Sequence, residues 1–311
     1  MNNCPADASP SSRPVFIFSG IMTIVTQLLD RTSLDDLVDL LRASRTVVLA
    51  GAGCSTESGI PDYRGPEGSL HERKPIQYQE FVRSESARVR YWTRSMVGWP
   101  RMSAARPNRA HQSLARLEQG GTFAGIITQN VDGLHQRAGS RRVVELHGTL
   151  GLVRCLGCGR AVDRDEFQHL LLDLNAEWAA DLKQRMPTDL IGAAPDGDAE
   201  LPVHTVNSFR VPGCDRCGEI MKPDVVFFGE NVPAPRLAEA WKLFELADVL
   251  LVLGSSLTVY SGRRFVYRAQ ADGVRIGVVN VGPTRADDVA EVKVEARLGS
   301  VLPCLAGRLL G

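Results

Sequence analysis

The sequence lacks an excess of charge of either sign: 36 lysines and arginines balance 36 aspartates and glutamates over 311 residues. The basic surplus that carries most nucleic-acid binding is therefore missing from the composition, and no nucleic-acid partner is expected. Also missing is an uninterrupted apolar run of about 18 residues, so no membrane span and no membrane partner are expected. Internal repeats are absent, and so are low-complexity tracts beyond the first 30 residues. In that N-terminal stretch no basic residue precedes Arg13 and no clear Ala-x-Ala site follows. Residues 1–32 therefore read as a flexible extension rather than a secretory signal, with Met22 as an alternative start and a weak targeting peptide as the competing reading. The expected location is the cytoplasm, or the mitochondrial matrix if the extension is a transit peptide. What is present is 44% hydrophobic residues with charges mixed among them, enough to build a substantial core. The length suits two domains, or one large domain carrying a smaller module.

From Ser33 the pattern becomes regular. SLDDLVDLLRAS places Leu34, Leu37, Val38 and Leu41 on one face behind a Ser-x-x-Asp start, which predicts a capped helix. TVVLAGAG follows as a continuous β-branched run ending in glycines, the signature of a strand covered on both faces. Similar runs recur at 123–130, 248–256, 275–282 and 292–296, with helical stretches such as PRLAEAWKLFELA between them. Alternating strands and helices predict a doubly wound, Rossmann-like α/β parallel sheet. Ligands of such sheets bind beyond the carboxyl ends of the strands. Those ends here read Gly-Ala-Gly, Thr-Gln-Asn, Gly-Ser-Ser and Asn-Val-Gly.

Three local signals carry chemistry. Gly51-Ala52-Gly53 after the first strand suits a dinucleotide pyrophosphate, but Thr56 stands where a third glycine is usual and no strand-end carboxylate follows about 20 residues on. A plain tight turn remains open on this motif alone. Cys155-x-x-Cys158 and Cys214-x-x-Cys217, each followed by glycine, are matched knuckles. Four thiolates close a tetrahedral zinc site with no open position, which makes the metal structural; redox-active pairs are the competing reading. Cys54 reads as a packing residue rather than a nucleophile. Between the two signals lie Gln129-Asn130-Val131-Asp132 and Glu145-Leu146-His147-Gly148, and His147 is a candidate general base. His111 and His135 read as helix-capping or packing residues.

GAGCSTESGIPDYRG, TQNVDGLHQRAGS, ELHG, the two Cys-x-x-Cys pairs, KPDVVFFGE, GSSLTVYSG and NVGPTRADD stand in the order and spacing of the sirtuins. The resemblance runs from about residue 33 to 305, and PDYR, RYWTRSMVGWP, APDGD and NVGPTRADD look like class II of that family. It implies an NAD-dependent protein lysine deacylase with one structural Zn2+ per chain. It implies a Rossmann-like domain over 33–64, 110–148 and 222–305, a cofactor loop and helical insertion over 65–109, and a smaller zinc-binding module with the class II insertion over 149–221.

The same resemblance assigns residues. Gly51, Ala52, Gly53, Thr56, Gly254, Ser255 and Ser256 would surround the phosphates of NAD, with Asp62, Tyr63 and Arg64 on the mobile loop. Ile60, Asn130 and Asp132 would form the nicotinamide pocket, Gln129 would hold the ribose, and Asn280, Val281, Gly282 and Leu298 would face the adenosine. His147, with Asn130, would be catalytic, the histidine as base on a ribose hydroxyl, giving free lysine and O-acyl-ADP-ribose. Acylated lysines of proteins would bind as an extended strand between VVFFGE and GSSLTVYSG, with Val226, Phe228, Gly229 and Glu230 around the lysine. Tyr91 and Arg94, three apart on a helix, mark sirtuins that remove acidic acyl groups, although the acids of Asp196-Gly197-Asp198 can occupy Arg94. Protein ADP-ribosylation and a non-catalytic NAD-binding module are the alternatives.

Overall fold

The structure is a computed structural model that describes residues 33–63, 75–185, 196–199, 201 and 208–311. Arg64, most of the expected cofactor loop, the N-terminal extension and much of the insertion between the knuckles lie outside the described residues.

The β-branched runs form a six-stranded sheet of order β3-β2-β1-β7-β8-β9. Its strands are β1 (Thr46–Ala50), β2 (Phe123–Thr128), β3 (Val143–Glu145), β7 (Val249–Leu253), β8 (Arg275–Val279) and β9 (Val292–Val294), all parallel to their neighbours. Alternation sorts the side chains onto two covered faces. Val48 and Ala50 pack with the helix over 33–41 (α1), α4 (Arg109–Gln119) and α10 (Leu298–Leu310). Val47 and Leu49 pack with α8 (Ala234–Phe244) and α9 (Tyr260–Asp272) on the other side. The sheet is doubly wound, as its sequence pattern predicts. Ala50, Thr128, Leu253 and Val279 end in register, so the loops that follow them meet at one edge.

A second sheet of order β5-β4-β6 is antiparallel: β4 (Gly148–Cys155), β5 (Ala161–Asp163) and β6 (Met221–Val225). β6 begins where the large domain was expected to resume, yet it pairs with β4. Its Pro223 has no amide hydrogen and suits an edge strand better than the centre of a parallel sheet. Behind this sheet lie α6 (Arg164–Leu174) and the long α3 (Glu85–Ala104), which follows α2 (Tyr78–Arg83). Ser84 caps α3 by accepting from the Ala87 amide at 3.2 Å. Trp92 on α3 donates to the Met221 carbonyl at 3.1 Å, tying helix to sheet. Buried Arg164 lies over the Trp92 and Trp99 rings and donates to Gln168 and to the Ser95 carbonyl. The remaining helices are α5 (Leu134–Arg137) and α7 (Ala176–Arg185). Among the described residues no helix is long and apolar enough to cross a membrane.

Candidate active site

The in-register strand ends and the small sheet face each other across a cleft of 1030 Å³. That is at the top of the roughly 300–1,000 Å³ range of small-molecule sites, room for a dinucleotide and an inserted side chain together. Gly51, Ala52, Gly53, Ile60, Asp62, Tyr63, Gln129, Asn130, Asp132 and His147 line it. So do Val226, Phe228, Gly229, Glu230, Gly254, Ser255, Ser256, Asn280, Val281, Gly282 and Tyr91.

Three expected residues stand elsewhere. Leu298, the first residue of α10, is turned into the core beside the sheet rather than toward an adenosine. Thr56 is outside the lining, and its hydroxyl donates back to the Gly53 carbonyl at 3.3 Å. Arg94 is also outside: its Nε donates to the Ala199 carbonyl at 3.1 Å, and its guanidinium pairs with buried Asp198 at 3.6 Å. One of the two acids between the knuckles, Asp198, does reach Arg94. Gly98 on α3 makes this docking possible, because a Cβ there would lie 2.0 Å from the Gly197 carbonyl oxygen.

The glycine loop owes its composition to its neighbour. A Cβ on Gly51 or Gly53 would meet the backbone of Gly254 at 2.7 and 2.8 Å, and Gly254 itself has φ +59. The loops after β1 and β7 therefore interlock backbone to backbone, leaving Ala52 and Ser255 on the cleft side. Cross-links continue along the edge. Gln129 donates to Ser255 Oγ at 2.9 Å, and Asn130 donates to the Gly51 carbonyl at 3.0 Å and to Ser55 Oγ at 3.2 Å. Ser55 in turn donates to Asp132 at 2.6 Å, while the other Asp132 oxygen accepts from the Leu134 amide. Asp132 keeps lone pairs for a further donor, as a carboxamide pocket requires. Small residues, hydroxyls and amides at the strand ends fit NAD. Cys54 is shut in beneath this edge, and burial pushes its thiol up to about 12, which suits packing and not nucleophilic attack.

His147 hangs between two partners. Its Nδ1 lies 3.0 Å from the Gln129 carbonyl, which can only accept, so Nδ1 carries the proton. Its Nε2 lies 2.6 Å from the Ser261 hydroxyl and therefore accepts from it. Burial pushes this imidazole down to about 4 against the Gln129 carbonyl, which favours protonation, and the Arg236 guanidinium adds to the downward push. The ring is neutral at pH 7, with its one lone pair aimed at the first turn of α9. Ser261 escaped the sequence reading, because 114 residues separate it from His147. Its neighbour Gly262 lets α9 approach this edge, since a Cβ there would lie 2.4 Å from Gln129 Oε1.

The expected substrate segment is braced from behind. The Val226 amide donates to the His147 carbonyl at 2.7 Å. Buried Lys222 pairs with Glu230 at 3.0 Å, and Glu230 also accepts from the Phe227 amide at 2.8 Å. Burial pushes Lys222 down and Glu230 opposes this, so the pair closes 222–230 into a fixed loop. Glu230 holds the segment in shape.

Away from the cleft, the four knuckle thiols lie within 4.8 Å of one another. Cys155 and Cys217 sulfurs are 3.4 Å apart, and those of Cys158 and Cys214 are 3.7 Å apart. A tetrahedron with Zn–S bonds of about 2.3 Å has edges of about 3.8 Å, so the cluster fits a zinc ion closely. No disulfide joins them, and two interlocked pairs are what a metal requires and a redox pair does not.

The comparisons agree with this geometry. The model of the Sir2 family matches residues 51–261. The "NAD-dependent protein deacetylase 2" of Bradyrhizobium diazoefficiens is 51% identical over 274 residues, covering 88% of this chain and 96% of that protein. The "NAD-dependent protein deacylase Sirt4" of Drosophila melanogaster is 46% identical over 269 residues, covering 86% and 84%. A solved "Sir2-p53 peptide-NAD+" structure is 33% identical with a TM-score of 0.67, covering 88% of this chain and 96% of that one. With the family model spanning most of the chain and near-full-length relatives at half identity, this protein belongs to the Sir2 family.

Proposed function

We propose that this chain removes acyl groups from lysine side chains of proteins, with NAD as co-substrate. The observation that carries the reading is His147, held neutral at the cleft with its lone pair directed and its proton fixed on Nδ1. NAD, when bound, supplies a ribose that gives up nicotinamide and receives the acyl group. Asn130 and Asp132, fixed through Ser55 and the Leu134 amide, would orient the carboxamide. Gln129 and Ser255 would hold the sugar, and His147 Nε2 would take a hydroxyl proton once Ser261 yields its place. The acyl-lysine would enter as a strand between 226–230 and 254–260, whose backbones are already fixed by Lys222, Glu230 and the interlocked glycines. Thiolate ligation of zinc fits a reducing compartment, and we place the enzyme in the cytoplasm.

The acyl preference is the finer part of this reading. Tyr91 and Asp196 line the cleft, while Arg94 is neutralised by Asp198. An acyl carboxylate would have to compete for that guanidinium, so we propose a preference for acyl groups larger than acetyl in which Asp198 limits the acidic ones. A panel of acylated peptides with NAD, read by mass spectrometry, tests both levels. O-acyl-ADP-ribose is the expected product, and a protein carrying ADP-ribose with the acyl group intact would replace deacylation by ADP-ribosylation. Asp198→Asn should raise glutaryl removal relative to acetyl, and Arg94→Met should not. Acetyl as the fastest substrate of the parent protein would reject the preference.

A further inference from the structure

Along α9, Tyr260, Arg263, Arg264 and Tyr267 stand at i, i+3, i+4 and i+7, the spacing of a single helix face. The two tyrosines are 57% and 50% exposed, with ring centroids 6.4 Å apart. Arg264 lies over the Tyr260 ring at 5.1 Å and Arg263 over the Tyr267 ring at 5.6 Å. Each guanidinium has its Nε closed off from solvent without a hydrogen-bond partner. Among the described residues neither arginine is paired with a carboxylate. Their neighbours differ: Arg268 pairs with Asp272, Arg275 with Glu291 and Arg236 with Asp224. Tyr260 and Arg264 also line the cleft, so the stripe starts at its mouth and runs outward.

We propose that this face of α9 docks acidic residues that flank the modified lysine on one side in the substrate polypeptide. The proposal rests on the deacylase reading and adds the substrate's sequence class to it. Exposed Tyr and Arg together are the composition of interface anchors, and stacking on a ring restrains each guanidinium in advance. With Nε closed off, the outer edge of each guanidinium is what meets a carboxylate, and its charge, unpaired among the described residues, selects acids over bases. Seven residues of helix span about 10 Å, which an extended chain covers in about three residues at roughly 3.3 Å each. Strand addition in the cleft reads main chain and little sequence, so discrimination between proteins has to come from beyond it. Arg264 lines the cleft that would hold NAD, so the NAD diphosphate is the competing anion, and the test separates the two.

Fluorescence anisotropy of labelled acyl-lysine peptides on the full chain, without NAD, reads docking apart from turnover. Three glutamates on one side should tighten Kd about five- to tenfold over a neutral peptide, the order expected of two exposed ion pairs. The same acids on the other side should not, and about 0.5 M salt should erase the gain. Arg263→Glu with Arg264→Glu should reverse the preference toward lysine flanks. Arg263→Gln, whose residue lies outside the cleft, should halve the discrimination if the double variant fails to fold. Equal Kd for all peptides, or equal gain from acids on either side, overturns the proposal. It is also overturned if the variants weaken NAD binding by calorimetry and leave the peptide preference intact. Preferential binding with no acyl removal on adding NAD would instead reject the deacylase reading and leave the docking surface standing.

Discussion

All five residues of β1 and all five of β7 are buried, whereas along β4 buried positions alternate with half-buried ones and Arg154 is exposed. The large sheet has apolar helices on both faces; the small one has α3 and α6 on one side and is only three strands wide. Those helices and the sheet still share a buried cluster that includes Trp92, Phe167, Leu171 and Val153. The small sheet's remaining stabilisation comes from the four thiolates at one end. The two regions bounding one cleft are therefore stabilised differently, by hydrophobic burial alone on one side and by burial reinforced by metal ligation on the other.

The largest effect should come from removing a zinc ligand. Cys155→Ala should lose bound zinc by elemental analysis and lose both activity and the cooperative unfolding of the small sheet, because ligation is part of its folding free energy. A stable, active, zinc-free variant would erase the contrast drawn here. Leu251→Ala attacks the other region, and deleting this fully buried side chain should cost about 2–5 kcal/mol by denaturant titration while zinc content stays at one per chain. Chelation should do the opposite, sparing the large sheet's transition.

His147→Ala should lower kcat about 10²–10⁴-fold with NAD affinity nearly unchanged, since the ring lies beside Gln129 and α9 rather than at the glycine loop. Failure to bind NAD would make the ring structural. Acid should act on the large-sheet side first. Burial holds His147 and His111 at about 4 and His135 well below 6.5, while an unfolded chain protonates all three near 6.5. The stability these neutral rings contribute is full above pH 6.5 and is lost as the pH falls toward 4. Tm measured in steps across that window should drop, and a His111→Gln variant should flatten the drop. The smallest effect is expected of Ser261→Ala: a few-fold change in kcat, with a ¹⁵N-histidine spectrum showing His147 no longer locked as the Nδ1–H tautomer. An unchanged spectrum would mean that the Gln129 carbonyl suffices.

Five of the six strands of the large sheet were legible, four as continuous apolar runs and β9 as the short VKV stretch, and so was their use as a ligand edge. β3 was not, since Val143-Val144-Glu145 shows neither a long apolar run nor an alternation. β6 was less legible: Met221–Val225 lies at the expected start of the large domain, but its pairing with β4 is a long-range contact that no local pattern shows. Within the site, the glycines, amides and His147 could be read from local strings. What joins them is non-local: Ser261 on His147, Gly254 against Gly51 and Gly53, and Lys222 on Glu230 depend on strand order. The Arg94–Asp198 pair was foreseeable as chemistry, an acid near a base, but the close approach that brings the two segments together appears only at Gly98.

β4 begins one residue after His147 and ends on Cys155, while β6 begins four residues after Cys217 and ends one residue before Val226. The proposed base and the proposed acyl-lysine wall are thus each mounted on a strand whose far end is anchored near sulfur, about 25 Å of extended chain in the case of β4. Paired at Gly148–Val225 and again from Val153 to Cys155, the two strands would carry a displacement at one end to the other without any ligand entering the cleft. An electrophile or oxidant that captures a knuckle thiolate should therefore inhibit without competing with either the peptide or NAD, lowering the maximal velocity and leaving both Michaelis constants in place.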